Sequence, residues 1–98
     1  MPRSGTERRL SDVASRLKAR RQELAVIEEQ LAHFEAEADD ARLRALVSDA
    51  PLDDREGVEA ERHAQVMRRN RAEVVSELAS LERQQDELLD RMLAEKAR

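Results

Sequence analysis

An all-α fold, two long helices forming an antiparallel coiled-coil hairpin, is predicted for this 98-residue chain. Three observations predict it. Apolar residues recur at spacings of three and four through both halves, as the a and d positions of a heptad do. One punctuated stretch, Ser48-Asp49-Ala50-Pro51, divides the chain near its middle. Positions i and 105 − i also carry matching core-type residues. The pairs run Ala45/Ala60, Ala41/Ala64, Ala38/Met67, Phe34/Arg71, Leu31/Val74, Ile27/Leu78, Leu24/Leu81, Arg20/Gln85, Leu17/Leu88 and Val13/Met92.

The composition fits the same fold class. Charged residues make up 41% of the chain and aromatics 1%, Phe34 being the only aromatic of the Phe, Trp and Tyr set. That material does not build a compact globular core, but Ala/Glu/Leu/Arg richness with a near-3.5 period suits long helices. A disordered chain would not hold heptad register. The expectation is a single domain spanning 1–98.

The first helix is expected over about 6–47. Ser4 and Glu7 fit a capping box, in which the hydroxyl and the carboxylate each satisfy an orphan amide. The seam then runs through Leu10, Val13, Leu17, Leu24, Ile27, Leu31, Phe34, Ala38, Ala41 and Ala45, with Arg20 as its one polar interruption. A turn is expected over about 48–53, because Pro51 biases Ala50 away from helical angles. The second helix is expected over about 54–96, with Asp53 and Glu56 as a further cap. Gly57 just inside it costs about 1 kcal/mol relative to alanine. Polar seam residues Arg20, Gln85 and Arg71 read as register pins.

A two-helix seam buries a narrow band, while ordering each residue costs roughly 1.5 kcal/mol. The hairpin is therefore expected to dimerise into a four-helix bundle or to dock on a larger partner. Val75, Ala79, Leu89 and Leu93 line one flank of the second helix outside the seam. Leu46, Val47, Leu52 and Val58, with Asp49, Asp53 and Asp54, gather about the turn. These eleven residues are the candidate partner-binding positions.

The net charge of −4 conceals a separation. Residues 1–21 carry +5, residues 22–61 carry −10 and residues 62–98 carry +1. The mirror rule sets Glu37 against Arg68 and Arg44 against Glu61, and places His63 on the seam flank opposite Arg42. The basic N-terminal segment with Arg3, Arg8, Arg9 and Arg16 invites phosphate binding, but no aromatic is present there for base stacking.

Other functions lack their residues. No cysteine is present, so disulfide and thiol chemistry are excluded. The two glycines are isolated, and no phosphate loop, nucleophile elbow or metal-type cluster occurs. His33 and His63 each follow a glutamate by four residues, not in the Glu-x-x-His spacing of di-iron bundles. No cofactor, metal or catalytic residue is expected. The N-terminus has no apolar signal region, and the longest apolar run, Leu24-Ala25-Val26-Ile27, is far short of a membrane span. A cytoplasmic location without membrane contact is the expectation.

Two resemblances add to this reading. The stretch from Ala45 to Ala64 resembles the tip of Gre-type transcript cleavage factors. Asp54 matches their second tip acid, and Glu61 with His63-Ala64 follows after extra residues. Pro51 stands where the first acid would be, and Arg62 replaces their aromatic. That resemblance implies a hairpin entering the secondary channel of RNA polymerase, with tip acids holding a metal ion; these 98 residues hold no counterpart of the family's globular domain. The stretches Gly5–Val13 and Asp39–Ser48 resemble short Arg/Ala-rich helical proteins from actinobacteria, which imply no activity.

The functional expectation is a non-enzymatic coiled-coil interaction module that self-associates or docks on a protein partner. The alternatives are a hairpin-tip regulator of a large enzyme such as RNA polymerase, and a nucleic-acid binder acting through the basic N-terminal end.

Overall fold

A computed structural model describes residues 4–48 and 55–98. Two long helices, α1 (Gly5–Val47) and α2 (Arg55–Lys96), pack against each other as a helical hairpin. The helix bounds match the expectation closely. The turn expected over 48–53, apart from Ser48, lies outside the described residues, as does Asp54.

The start of α1 follows from its cap. The Glu7 amide donates to Ser4 Oγ over 3.2 Å, and the Arg8 amide donates to the Ser4 carbonyl over 3.1 Å. At its far end the Ser48 amide still donates to the Arg44 carbonyl over 3.0 Å. Acidic residues in the first turns (Glu7, Glu56) and basic residues in the last (Arg44, Lys96) complement both helix dipoles.

The fold divides into two compact units, each taking a segment from both helices. The terminal unit comprises Met1–Glu23 with Val74–Arg98, and the central unit comprises Leu24–Glu73.

In the terminal unit the buried residues are Val13, Leu17, Val74, Leu78 and Leu81. Thr6 joins them at 7% exposure, and its hydroxyl donates to the Glu95 carboxylate over 2.8 Å. In the central unit Ile27, Ala38, Ala41, Ala60 and Ala64 are buried. Gly57, one seam position before Ala60, is buried as well. Small residues there let the two helices approach closely, with little side-chain volume between them.

The seam stripe is the predicted one, but its layers are not. The cross-helix hydrogen bonds, ion pairs and ring contacts between described side chains join positions summing to less than 105. In the terminal unit the sums are 101 for Thr6–Glu95, 97 for Arg20–Glu77 and 103 for Arg21–Glu82. In the central unit they are 97 for Phe34–His63, 99 for Arg71–Glu28, 103 for Arg68–Glu35 and 100 for Arg44–Glu56. Both units are thus centred near 100 or 101, about one layer short of the mirror at 105.

The physical reason is that the seam repeats every 3.5 residues. A slip of one layer keeps stripe facing stripe: Val13 passes from Met92 to Leu88, while Arg20 passes from Gln85 to Leu81. The flanking charges distinguish the two registers. In the slipped one, Arg20, Arg21, Arg68 and Arg71 each reach a carboxylate on the other helix. Several expectations change with it. Ala45 no longer faces Ala60, falls opposite Gly57 and is exposed. Arg68 pairs with Glu35 and Glu61 in place of Glu37, and Arg44 pairs with Glu56 in place of Glu61. Arg71 meets Glu28 rather than Phe34, and His63 meets Phe34 rather than Arg42.

Candidate interaction surfaces

The central unit presents the most exposed apolar side chains. Leu43, Leu46 and Val47 are 60%, 83% and 85% exposed at the C-terminal end of α1. They stand at i, i+3 and i+4, so they share one helix face. That face points away from the Ala38/Ala41 stripe. Val58 is exposed on α2. Of the other predicted turn residues, Asp49, Leu52, Asp53 and Asp54 lie outside the described residues.

The terminal unit presents Val75, Ala79, Leu89 and Leu93, all exposed, Leu93 at 64%. They do not form one continuous stripe. Glu82 and Asp86 occupy the intervening turn of the same flank. Glu82 is bridged across that flank by Arg21 at 3.7 Å. The structure therefore keeps the predicted flank exposed but splits it into two apolar pairs around an ionic centre.

Sequence reasoning missed an aromatic cluster in the central unit. The His63 ring stacks on Phe34 with centroids 4.7 Å apart and planes inclined by 21°. His33 meets the same ring edge-on at 5.4 Å, and its Nε2 lies 3.1 Å from the Glu37 carboxylate. The slipped register carries this signal, since it brings His63 of α2 within one turn of the level of Phe34 on α1. Exposed Val26 and Val66 were also missed, for each lies off the seam beside a seam residue, Ile27 and Met67.

Each unit has an open groove along the flank where g positions of the two helices meet. In the terminal unit the floor is Val13 and Leu88, and the walls carry Arg9, Arg16 and Arg91 with Asp12 and Glu87. Among the described residues none of these five charges has an ion-pair partner. In the central unit the floor is Phe34 and Ala60. Its walls carry Glu37, Asp40, Glu56 and Glu59 against Arg44 and His63. Arg44 is committed to Glu56 at 3.2 Å, and Asp40 and Glu59 are unpaired.

Elsewhere the ion pairs lock guanidinium groups in place. Hydrogen bonds from Arg20 to Glu23 and Glu77 raise its pKa, and hydrogen bonding to Glu61 does the same for Arg68. Both therefore remain charged and occupied. No group of three or more metal-ligating side chains converges among the described residues. No described helix is long and apolar enough to cross a membrane.

The chain matches no protein-family model, no curated protein and no solved structure.

Proposed function

We propose that this chain is a non-enzymatic helical-hairpin module that works by binding protein, either a second copy of itself or another chain. One observation carries the reading. Leu43, Leu46 and Val47 hold three large apolar side chains at i, i+3 and i+4, at 60% to 85% exposure. Single exposed apolar residues are ordinary. Three on one face of one helix match the anchor pattern by which helices dock in apolar grooves. The narrow core supports the same conclusion, since a hairpin with four buried alanines gains stability from a further surface to bury.

Leu46→Glu/Val47→Glu is the decisive variant. Affinity capture with tagged wild type and variant, and sedimentation of both across a concentration series, test the reading. Wild type should retain a stoichiometric partner or a larger species that the variant loses, at equal helicity. A wild type that neither associates nor captures a chain would overturn the reading, and equal association of the two would remove the apolar face from it.

The same exposed face favours a second reading, a hairpin-tip regulator of a large enzyme such as RNA polymerase. Co-purification of that enzyme with wild type, and its loss with Asp49→Ala/Asp53→Ala/Asp54→Ala, would support that reading. Nucleic-acid binding has less behind it. Arg20 and Arg21 are engaged by Glu77 and Glu82, and Asp12 and Glu87 stand among the remaining arginines.

A further inference from the structure

The two grooves carry opposite charge. The terminal groove holds three arginines against two carboxylates, a net of +1. The central groove holds four carboxylates against one arginine, a net of −3 with His63 neutral. Their construction is otherwise the same. In both, g residues form the inner walls (Arg9, Arg16 and Arg91; Glu37, Arg44 and Glu56). In both, c residues form the outer rim (Asp12 and Glu87; Asp40 and Glu59). The terminal arginines are the unusual feature. Most other cross-seam arginines here have found a carboxylate, whereas Arg9, Arg16 and Arg91 line an apolar-floored groove with none.

We propose that the terminal groove of one molecule seats the central groove of a second copy of this chain. This rests on the reading of the chain as a protein-binding module and names one partner. Arg9, Arg16 and Arg91 would meet Asp40, Glu59 and Glu37, and Val13 with Leu88 would face Phe34 and Ala60. Exposed Val47 and Val66 hold the same outer heptad position as Asp40 and Glu59. They add apolar area to the contact. Two terminal grooves repel each other, and so do two central ones. Charge therefore selects the unlike pairing, and complementary charge fixes register and partner choice more than raw affinity.

Charge reversal in the full chain tests this. One variant is Arg9→Glu/Arg16→Glu/Arg91→Glu; the other is Asp40→Arg/Glu59→Arg. None of these side chains is buried or paired, and circular dichroism confirms the fold. If the triple variant loses helicity, Arg9→Gln/Arg91→Gln replaces it. By sedimentation equilibrium the wild type should self-associate, about tenfold more weakly at roughly 0.5 M than at roughly 0.05 M salt. Each reversal should weaken self-association by about tenfold, the scale of a few exposed ion pairs. An equimolar mixture of the two reversed variants should restore it, because the reversed terminal groove of one then meets the reversed central groove of the other. A monomeric wild type, salt-insensitive association, or a mixture no better than either variant would overturn the proposal. A monomeric wild type that still binds another protein through Leu46 and Val47 would overturn only this inference. Salt-sensitive association indifferent to Leu43→Glu/Leu46→Glu, which spares Val47, would support it and count against the apolar face.

Discussion

The His63 ring lies flat on Phe34, 4.7 Å between centroids, joining α2 to α1 at positions that sum to 97. A mirror at 105 keeps those two residues on different layers. With the ion pairs around it, the stack fixes the central unit in the slipped register. That register places Ala41 opposite Ala60 and Ala38 opposite Ala64. Cysteines at Ala41 and Ala60 should therefore form a disulfide readily, since alanine layers bring Cα atoms within the span a disulfide requires. Cysteines at Ala41 and Ala64 should do so poorly. Non-reducing electrophoresis after mild oxidation reads the difference. Preferential bridging of the second pair would restore the mirror.

The hairpin itself was legible in the sequence, and the reason is physical. Heptad spacing fixes which stripe each helix buries, and the Ser4 cap fixes where α1 starts. The layer was not legible. Val13 faces an apolar residue in either register, Met92 or Leu88, so the hydrophobic term is nearly degenerate. The choice falls to pairs such as Arg68–Glu35 and Arg71–Glu28, whose partners depend on the register being sought. The grooves inherit that difficulty, since Arg9 and Arg91 belong to one wall only once the layer is known. The exposed Leu46 and Val47, by contrast, fall off the stripe in either register.

Thr6 is the one buried polar residue among those described, and its bond to Glu95 closes the terminal unit. Replacing Thr6 with valine keeps its shape and removes the hydroxyl. The cost should be about 1 kcal/mol, the usual net worth of such a hydrogen bond. Glu95→Ala should cost a similar amount. The double variant should cost little more than either single one, because both remove the same interaction. Urea denaturation of the four proteins measures the cycle. Additive losses would show that Thr6 and Glu95 act separately.

Core volume should respond in opposite senses in the two units. Leu17 is 2% exposed, and Leu17→Ala should leave a cavity costing about 2–5 kcal/mol. Ala64 is fully buried in the alanine-lined central unit, so there the larger side chain does harm. Ala64→Leu should cost about 1–3 kcal/mol by forcing the helices apart. Denaturant midpoints of the two variants check both. A stabilised Ala64→Leu would mean that the alanine layers leave unfilled space.

Arg20 sits on the seam stripe but sends its guanidinium outward, to Glu23 at 2.6 Å and Glu77 at 3.0 Å. The slipped register sets its stem against Leu81, which is buried. Arg20→Leu should therefore raise the denaturant midpoint, since an apolar side chain there extends the core between Leu17 and Leu81 and exposed ion pairs hold little stability. Polar seam residues nevertheless fix register at a cost in stability. The same substitution should broaden the cross-linking pattern, letting cysteines at Val13 and Met92 bridge alongside those at Val13 and Leu88. A lowered midpoint would show that the paired guanidinium outweighs the apolar gain. A raised midpoint with unchanged cross-links would leave the register to Arg68, Arg71 and the Phe34–His63 stack.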